Sequence, residues 1–410
     1  MKKILEIGLG IMVALGGFVD IGDLVFSTQA GAKFGYELLW ALLIGVIGII
    51  VYIEMAGRVT TVTKKPVFDL VQRTLHPKLG WAALIGSLLM NILTCAAEIG
   101  GIALGLQLLS GLSYDLLILC AVLALILLVW VLPFKGIERL FGYVGLGLLT
   151  LLIAAIKLHP DWSLAASSFW PHLVSEGNMG SYWYFAIGII AATFMPYEVY
   201  FYASGAVEEK WKPQSDMVVN RTNTILGFSL GGLVVAGIII MSSELFRTAG
   251  IDPQFLGTPI LGSLVTLGKA GVVLALLGAI FTIAGAAIET AFSGAYSISQ
   301  FLDWPWGKHQ EPLKVPRFTL AWVIIFLLAA AIIFTGIDPI TLTEYAVIFS
   351  VVVMPFSYWP IFRIARDKRT MGKYANKTFA NVMGWVFLAI ITIVSIAAVP
   401  LMIISNRGQL

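Results

Sequence analysis

The chain reads as an all-α polytopic membrane protein, and three observations carry that reading. Of its 410 residues 59% are hydrophobic and only 12% charged, where soluble domains carry about 25% charged residues. The apolar residues fall in long runs, most of them near the ~20 residues a helix needs to cross a hydrocarbon core. Lys and Arg gather in alternate loops, as the loops of a chain threaded through a bilayer do.

Eleven apolar runs predict eleven spans, at about 5–30, 38–57, 80–110, 114–132, 138–158, 181–206, 223–245, 271–301, 318–334, 342–364 and 382–404. The third and eighth exceed the bilayer requirement and should tilt or protrude. Lys2 and Lys3 before the first run imitate a signal peptide, but no small-residue cleavage site follows, so the run reads as a retained helix. With the N-terminus inside, 21 of the 26 Lys and Arg face the cytoplasm; Lys33, Lys157, Arg247, Lys269 and Arg407 remain outside. This predicts an integral protein of the plasma (inner) membrane with a cytoplasmic N-terminus and an external C-terminus. Residues 66–75 form a short amphipathic helix expected on the inner membrane surface. Asn220-Arg221-Thr222 and Asn376-Lys377-Thr378 match the glycosylation pattern but lie inside, so the match is chance. Cys95 and Cys120 sit in apolar runs and outline neither a disulfide framework nor a thiolate metal site. Nothing marks a soluble domain, so residues 1–410 read as one transmembrane unit.

Within the first run, Gly16-Gly17-Phe18-Val19-Asp20-Ile21-Gly22-Asp23 holds two carboxylates three residues apart. Asp20 lies some 15 residues in, roughly 22 Å along a helix and well inside a core of about 30 Å. That depth disfavours a helix cap at the membrane surface. Ionisable groups at such depth are costly and point to function. Gly22 offers freedom for the helix to break there, and a broken helix exposes carbonyls that can coordinate an ion. The sixth run repeats the anomaly in Ala191-Ala192-Thr193-Phe194-Met195-Pro196-Tyr197-Glu198. Pro196 interrupts the helix, with Met195 before the break and Glu198 after it. Two interrupted helices five spans apart mark a transporter site between two inverted repeats. Glu54 and Arg58, at i,i+4 near the inner surface, read as a solvated pair. His76, His159, His172 and His309 all fall in loops.

These residues resemble the NRAMP family of divalent-metal transporters. The stretch Gln29-Ala30-Gly31-Ala32-Lys33-Phe34-Gly35-Tyr36-Glu37-Leu38-Leu39-Trp40 is similar to the family's segment after its first broken helix. Ala97-Glu98-Ile99-Gly100, Ala192-Thr193-Phe194-Met195-Pro196 and Asp367-Lys368-Arg369-Thr370-Met371-Gly372 resemble its third-helix motif, its sixth-helix break and its loop before the last span. The resemblance covers nearly the whole chain. It implies a LeuT-type 5+5 inverted repeat, with repeat one at about 5–158, repeat two at about 181–364 and an eleventh helix at about 382–404. It also implies that Asp20, the Ala192 carbonyl and the Met195 sulfur bind metal. Asp23 stands where the family has an asparagine, and Ile21 where it has a proline. Tyr197-Glu198 replaces a His-Asn pair. Cys95 replaces an acid three positions before Glu98, and Arg317 is the one survivor of a basic pair. The family's tenth-helix glutamine has no counterpart in Val351-Val352-Val353-Met354-Pro355. A Glu98–Arg317 pair is what the resemblance implies for the proton path, and Glu289 is a further intramembrane acid that could serve it.

The metal ligands expected are therefore Asp20, Asp23, Ala192, Met195 and Glu198, with Gly22 and Tyr197 behind them. Mixed oxygen and sulfur donors favour Mn²⁺, Fe²⁺, Co²⁺ or Cd²⁺ over Mg²⁺ and Ca²⁺. Three acids around one divalent ion leave surplus charge, and one of them is expected to carry the coupled proton in place of the acid lost at Cys95. The function expected is secondary, proton-coupled import of transition-metal ions. The alternative is a related carrier for Mg²⁺ or another small solute with little or no proton coupling. No resident cofactor, nucleic acid or obligate protein partner is expected; the partners are the metal ion and the bilayer. An intramembrane aspartyl protease would need two carboxylates from facing helices, and Asp20 and Asp23 lie on one, so an enzyme is not expected. A metal sensor would need a signalling domain, which no segment is long or polar enough to form.

Overall fold

The computed structural model describes residues 19–171, 178–253 and 257–409. Lys2, Lys3, Gly16, Gly17, Phe18 and the start of the first expected span lie outside the described residues, as does His172. Helices and the turns joining them make up the described chain, with no strand among the described residues. Ten helical stretches among them are long and apolar enough to cross a bilayer, over the second to eleventh expected spans.

In chain order, α1 is Ile21–Phe34, α2 Leu39–Thr63, α3 Val67–Thr74 and α4 Pro77–Ser110. Then come α5 Tyr114–Val131, α6 Phe134–Gly145 and α7 Leu149–Lys157, the last two joined by one 3-10 turn. The second half holds α8 Met179–Thr193, α9 Pro196–Glu208, α10 Met217–Ser242, α11 Lys269–Phe301, α12 Pro316–Ile333, α13 Pro339–Arg366 and α14 Thr378–Ile404. Glycine closes α1 and α4, with Gly35 at φ 64° and Gly111 at φ 69°, conformations that side chains resist. At 34 and 33 residues, α4 and α11 run about 50 Å, longer than the hydrocarbon core is thick. They pack against each other along most of that length and form the middle of the molecule, with α13 and α12 also against α4. The most apolar windows of α5 and α14 are only 28% and 22% buried, so these two helices face lipid.

Two expectations change. Helix α3 is not confined to a membrane surface. Val67, Phe68, Leu70 and Val71 are buried, packed on α11 and α13, with the Phe68 ring 5.1 Å from that of Tyr200. The Glu54–Arg58 pair is not solvated. Arg58 donates to Glu54 Oε1 (3.0 Å), the Tyr374 carbonyl (2.7 Å) and Asn376 Oδ1 (2.8 Å), and its side chain is 8% exposed. The guanidinium fork thus ties α2 to the segment after α13. Removing one member of a buried pair costs about 3–5 kcal/mol, so Arg58→Ala should lower the unfolding temperature sharply and Arg58→Lys only in part. Thermal unfolding in detergent measures this; a loss under about 1 kcal/mol would match a solvated pair instead. Asn220 is buried and bonded to the Glu54 carbonyl and Tyr202, so it can carry no glycan.

Both ends of the bundle are fastened. At one end, Lys308 reaches back between α6 and α9. Its Nζ lies 2.8 Å from Glu138 Oε1 and over the Phe201 and Phe134 rings at 4.3 and 4.6 Å. Its backbone N–H donates to Glu208 Oε1 at 3.0 Å, and Tyr296 donates to the same oxygen. Burial alone would lower the Lys308 ammonium, but Glu138, Glu209 and Glu208 hold it above its ordinary value. Burial likewise pushes Glu209 up, but bonds from His309 and Trp211 and the Lys308 charge win and hold it at about 2. At the other end, residues 405–409 fold back on the bundle. Lys33 Nζ donates to the Gly408 carbonyl at 2.6 Å, and Arg407 donates to Thr341 Oγ1 at 2.8 Å.

Candidate metal site where two helices begin

Asp20 is extended (φ −97°, ψ −174°) and α1 starts at the next residue. Its Oδ1 accepts from the Asp23 N–H at 3.0 Å, the bond of a helix cap, made here by a buried residue. The second helix start follows an interruption in the sixth expected span. Helix α8 ends at Thr193, Phe194 (φ −118°, ψ 54°) and Met195 (φ −78°, ψ 127°) are not helical, and α9 starts with Pro196. Proline fits a first helical position because its missing N–H would be unpaired there anyway. The same lack leaves the Ala192 carbonyl without a donor four residues on.

The two helix starts face each other. Tyr197 OH donates to Asp20 Oδ2 at 3.2 Å. Gly22 lies against Ala192, where a Cβ would meet the alanine methyl at 3.4 Å and Val347 Cγ2 at 2.9 Å. Gly22 is thus not the breaking point expected of it. It sits inside the first turn of α1, and its lack of a side chain lets α1, α8 and α13 close up. Asp20, Asp23, Ala192, Met195, Tyr197 and Glu198 are all buried. Both Asp23 oxygens and Glu198 Oε2 have no hydrogen-bond partner. Asp23 and Glu198 each occupy a first helical turn, so the positive ends of α1 and α9 soften their burial.

The described residues contain no group of three or more His, Cys, Asp or Glu placed to share one ion. The three-acid cage expected of Asp20, Asp23 and Glu198 is therefore not formed. Tyr197 takes the position facing Asp20, and its neighbour Glu198 projects about 100° around the helix. The donors gathered by the two helix starts are the Asp20–Asp23 pair, the free Ala192 carbonyl and Met195.

Glu98 is fully buried on α4, close to the Ile21 N–H, yet neither of its oxygens completes a hydrogen bond. It makes no ion pair with Arg317 among the described residues. Arg317, the second residue of α12, is exposed and stacks over Trp304 at 5.3 Å, whereas Glu98 lies in the packed middle of α4. Cys95 is buried with its sulfur 3.9 Å from the Ala287 carbonyl. Glu289 on α11 is half-buried and within electrostatic reach of Glu198, Lys308 and Glu138. On α13, Val351, Val353 and Met354 are buried and offer no amide. Residues that sequence reasoning passed over are Asn91, Thr94 and Thr290, each buried with an unpartnered oxygen. For Asn91 and Thr94 the signal was the polar stripe Ser87, Asn91, Thr94 and Glu98 on one face of an apolar helix; Thr290 carried none of its own.

A family profile described as natural resistance-associated macrophage protein-like (Nramp) matches residues 10–400. The chain belongs to the Nramp family. This Nramp chain is 25% identical to the divalent metal cation transporter MntH of Staphylococcus haemolyticus, over 96% of its own length and 91% of that protein. It is 25% identical to MntH of Deinococcus radiodurans, covering 95% and 88%. Among solved structures it resembles the Eremococcus coleocola manganese transporter, with TM-score 0.79 and 20% identity over 98% of this chain and 87% of that one. It also resembles MHP1, a nucleobase-cation-symport-1 family transporter, with TM-score 0.59 and 11% identity. The fold of this Nramp chain is thus the LeuT type, and its family and relatives are transporters, not enzymes.

Proposed function

We propose that this chain imports divalent transition-metal ions of the Mn²⁺ and Fe²⁺ kind across the plasma membrane by alternating access, with protons as co-substrate. The observation that carries the reading is the meeting of two helix starts at a buried acid pair, of which Asp23 has neither oxygen partnered. A buried carboxylate without a partner is held only at high cost. A divalent cation between Asp23, Asp20, the Ala192 carbonyl and the Met195 sulfur removes that cost. The relatives' printed names, divalent metal cation transporter and manganese transporter, agree with this reading. The thioether sets the preference: sulfur favours Mn²⁺, Fe²⁺ and Cd²⁺ over the oxygen-seeking Mg²⁺ and Ca²⁺. The charge pattern of the loops supports an N-terminus in the cytoplasm and a C-terminus outside.

Uptake by proteoliposomes of Mn²⁺, Fe²⁺, Cd²⁺, Mg²⁺ and Ca²⁺, with and without a pH gradient, tests both ion and coupling. Met195→Ala should weaken Cd²⁺ by at least about tenfold, some 1.4 kcal/mol, and leave Mg²⁺ nearly unchanged. An equal loss for every ion would make the sulfur a packing group. A second reading, a carrier for Mg²⁺ with little proton coupling, draws on the unpartnered Asp23 and Glu198 oxygens and on the absence of an amide from the middle of α13. The same panel separates the two, because that carrier would take up Mg²⁺ in preference to Mn²⁺ and ignore the pH gradient.

A further inference from the structure

Beside the site, the seam between α4 and α11 holds a second set of unsatisfied oxygens. Thr94 Oγ1, Thr290 Oγ1, Asn91 Oδ1 and both Glu98 oxygens are buried with no hydrogen-bond partner. The two helices are antiparallel, and three contacts fix their register. Ser87 Oγ lies 3.3 Å from Ser297 Oγ. A Cβ on Gly101 would meet Ile283 Cδ1 at 3.5 Å, and one on Gly105 would meet Ile280 Cγ1 at 2.6 Å. In that register Thr290 stands level with Thr94. Glu98 lies one turn along α4 on the same face, and Asn91 about one turn the other way.

The two threonines depart from local habit. Buried hydroxyls in membrane helices usually bond the carbonyl a turn back, as Thr193, Thr224, Thr282 and Ser297 do here. Thr94 and Thr290 make no such bond, so their oxygens stay free to face a ligand in the seam. The donors offered are two hydroxyls, an amide oxygen and one carboxylate. That set is hard and oxygen-only, so it does not suit soft metals. It carries a single negative charge, which balances a monovalent ion. The close packing of α4 on α11 favours a small one.

We propose that Thr94, Thr290 and Glu98, with Asn91 one turn below, form a sodium-ion subsite coupled to the divalent-metal site. The coupling runs through Glu98, which lies against the Ile21 N–H next to Asp20. Asp20, Asp23, Glu198 and Glu98 together carry four negative charges when ionised, and one divalent ion leaves two uncompensated. A sodium ion on Glu98 draws on the same surplus that holds the divalent ion, so the two cations oppose each other and each weakens the binding of the other. The proposal rests on the metal-transport reading and adds to it a monovalent ion whose binding opposes that of the divalent one.

The test measures Mn²⁺ affinity and thermal stability of the purified protein in Na⁺, K⁺ and choline at equal ionic strength. Na⁺ should raise the unfolding temperature without Mn²⁺ present and weaken Mn²⁺ binding on the order of tenfold, with K⁺ and choline inert. Linkage requires the reciprocal result, that Mn²⁺ weakens Na⁺ binding by the same factor. In Thr290→Val, which keeps the shape and removes the hydroxyl, the Mn²⁺ affinity should no longer respond to Na⁺; Thr290→Ser should restore the response. Thr94→Val is the second variant should the first fail to fold. If Na⁺ leaves stability and Mn²⁺ affinity unchanged, or if both valine variants respond like the parent, the oxygens are satisfied by water and the subsite is refuted. Mn²⁺ binding without a Na⁺ effect ends this proposal alone; Na⁺ stabilisation without Mn²⁺ binding ends the transition-metal reading instead.

Discussion

Asp20→Ala is expected to abolish metal uptake while the protein still folds. Asp20 is the residue at which the two helix starts meet: it caps α1 and accepts the Tyr197 hydroxyl from α9. Losing a cap costs about 1 kcal/mol, and an orphaned buried hydroxyl about 1–3 kcal/mol. A large helical bundle can absorb that loss. Losing a charged ligand from a buried cation is worth about 3–5 kcal/mol, or about two to three and a half orders of magnitude in affinity. Asp20→Asn separates the roles, because the amide oxygen keeps the cap while the charge goes, and the amide NH₂ in place of Oδ2 donates to the Tyr197 oxygen. Uptake, Mn²⁺ affinity by calorimetry and unfolding temperature should show both variants dead in transport and the asparagine variant the more stable. Uptake within a few-fold of the parent in a folded Asp20→Ala protein would remove Asp20 from the site.

Asp23→Asn is expected to move stability and affinity in opposite directions. Asp23 has no base to lose, since neither oxygen is partnered. Replacing a buried, unpartnered carboxylate with a neutral amide removes its repulsion with Asp20 and much of its desolvation cost. The metal-free protein should gain about 1–3 kcal/mol. Mn²⁺ affinity should fall by about tenfold, because one of two charged donors becomes a neutral oxygen. Mg²⁺, held by charge and oxygen alone, should fall further. A loss of stability in this variant would mean that Asp23 holds a cationic partner in the folded protein and not an ion.

Much of this was legible in the residues. Ten spans follow from hydropathy, and the break at Phe194-Met195 follows from Pro196. Asp20 and Asp23 announce themselves by their depth in an apolar run. What was not legible depends on partners distant in the chain. Arg58 looked solvated because its pair with Glu54 is local, while the Tyr374 and Asn376 groups that bury it lie more than 300 residues away. Helix α3 shows its apolar face in the sequence but not what covers that face. The Glu98–Arg317 pair came from resemblance, and resemblance could not register that Trp304 already claims the guanidinium. Thr94 and Thr290 look like ordinary helix threonines until the register of α4 on α11 sets them side by side.

The folded stretch at residues 405–409 bears on how the protein should be handled. Gly408 adopts φ 75° with Phe185 and Tyr184 pressed against it, and its carbonyl is held by Lys33. A purification tag fused directly after Leu410 would pull on a packed element tied to α1, α8 and α13. Activity lost in such a fusion would report the handle and not the transporter, so a long flexible spacer belongs between Leu410 and any tag.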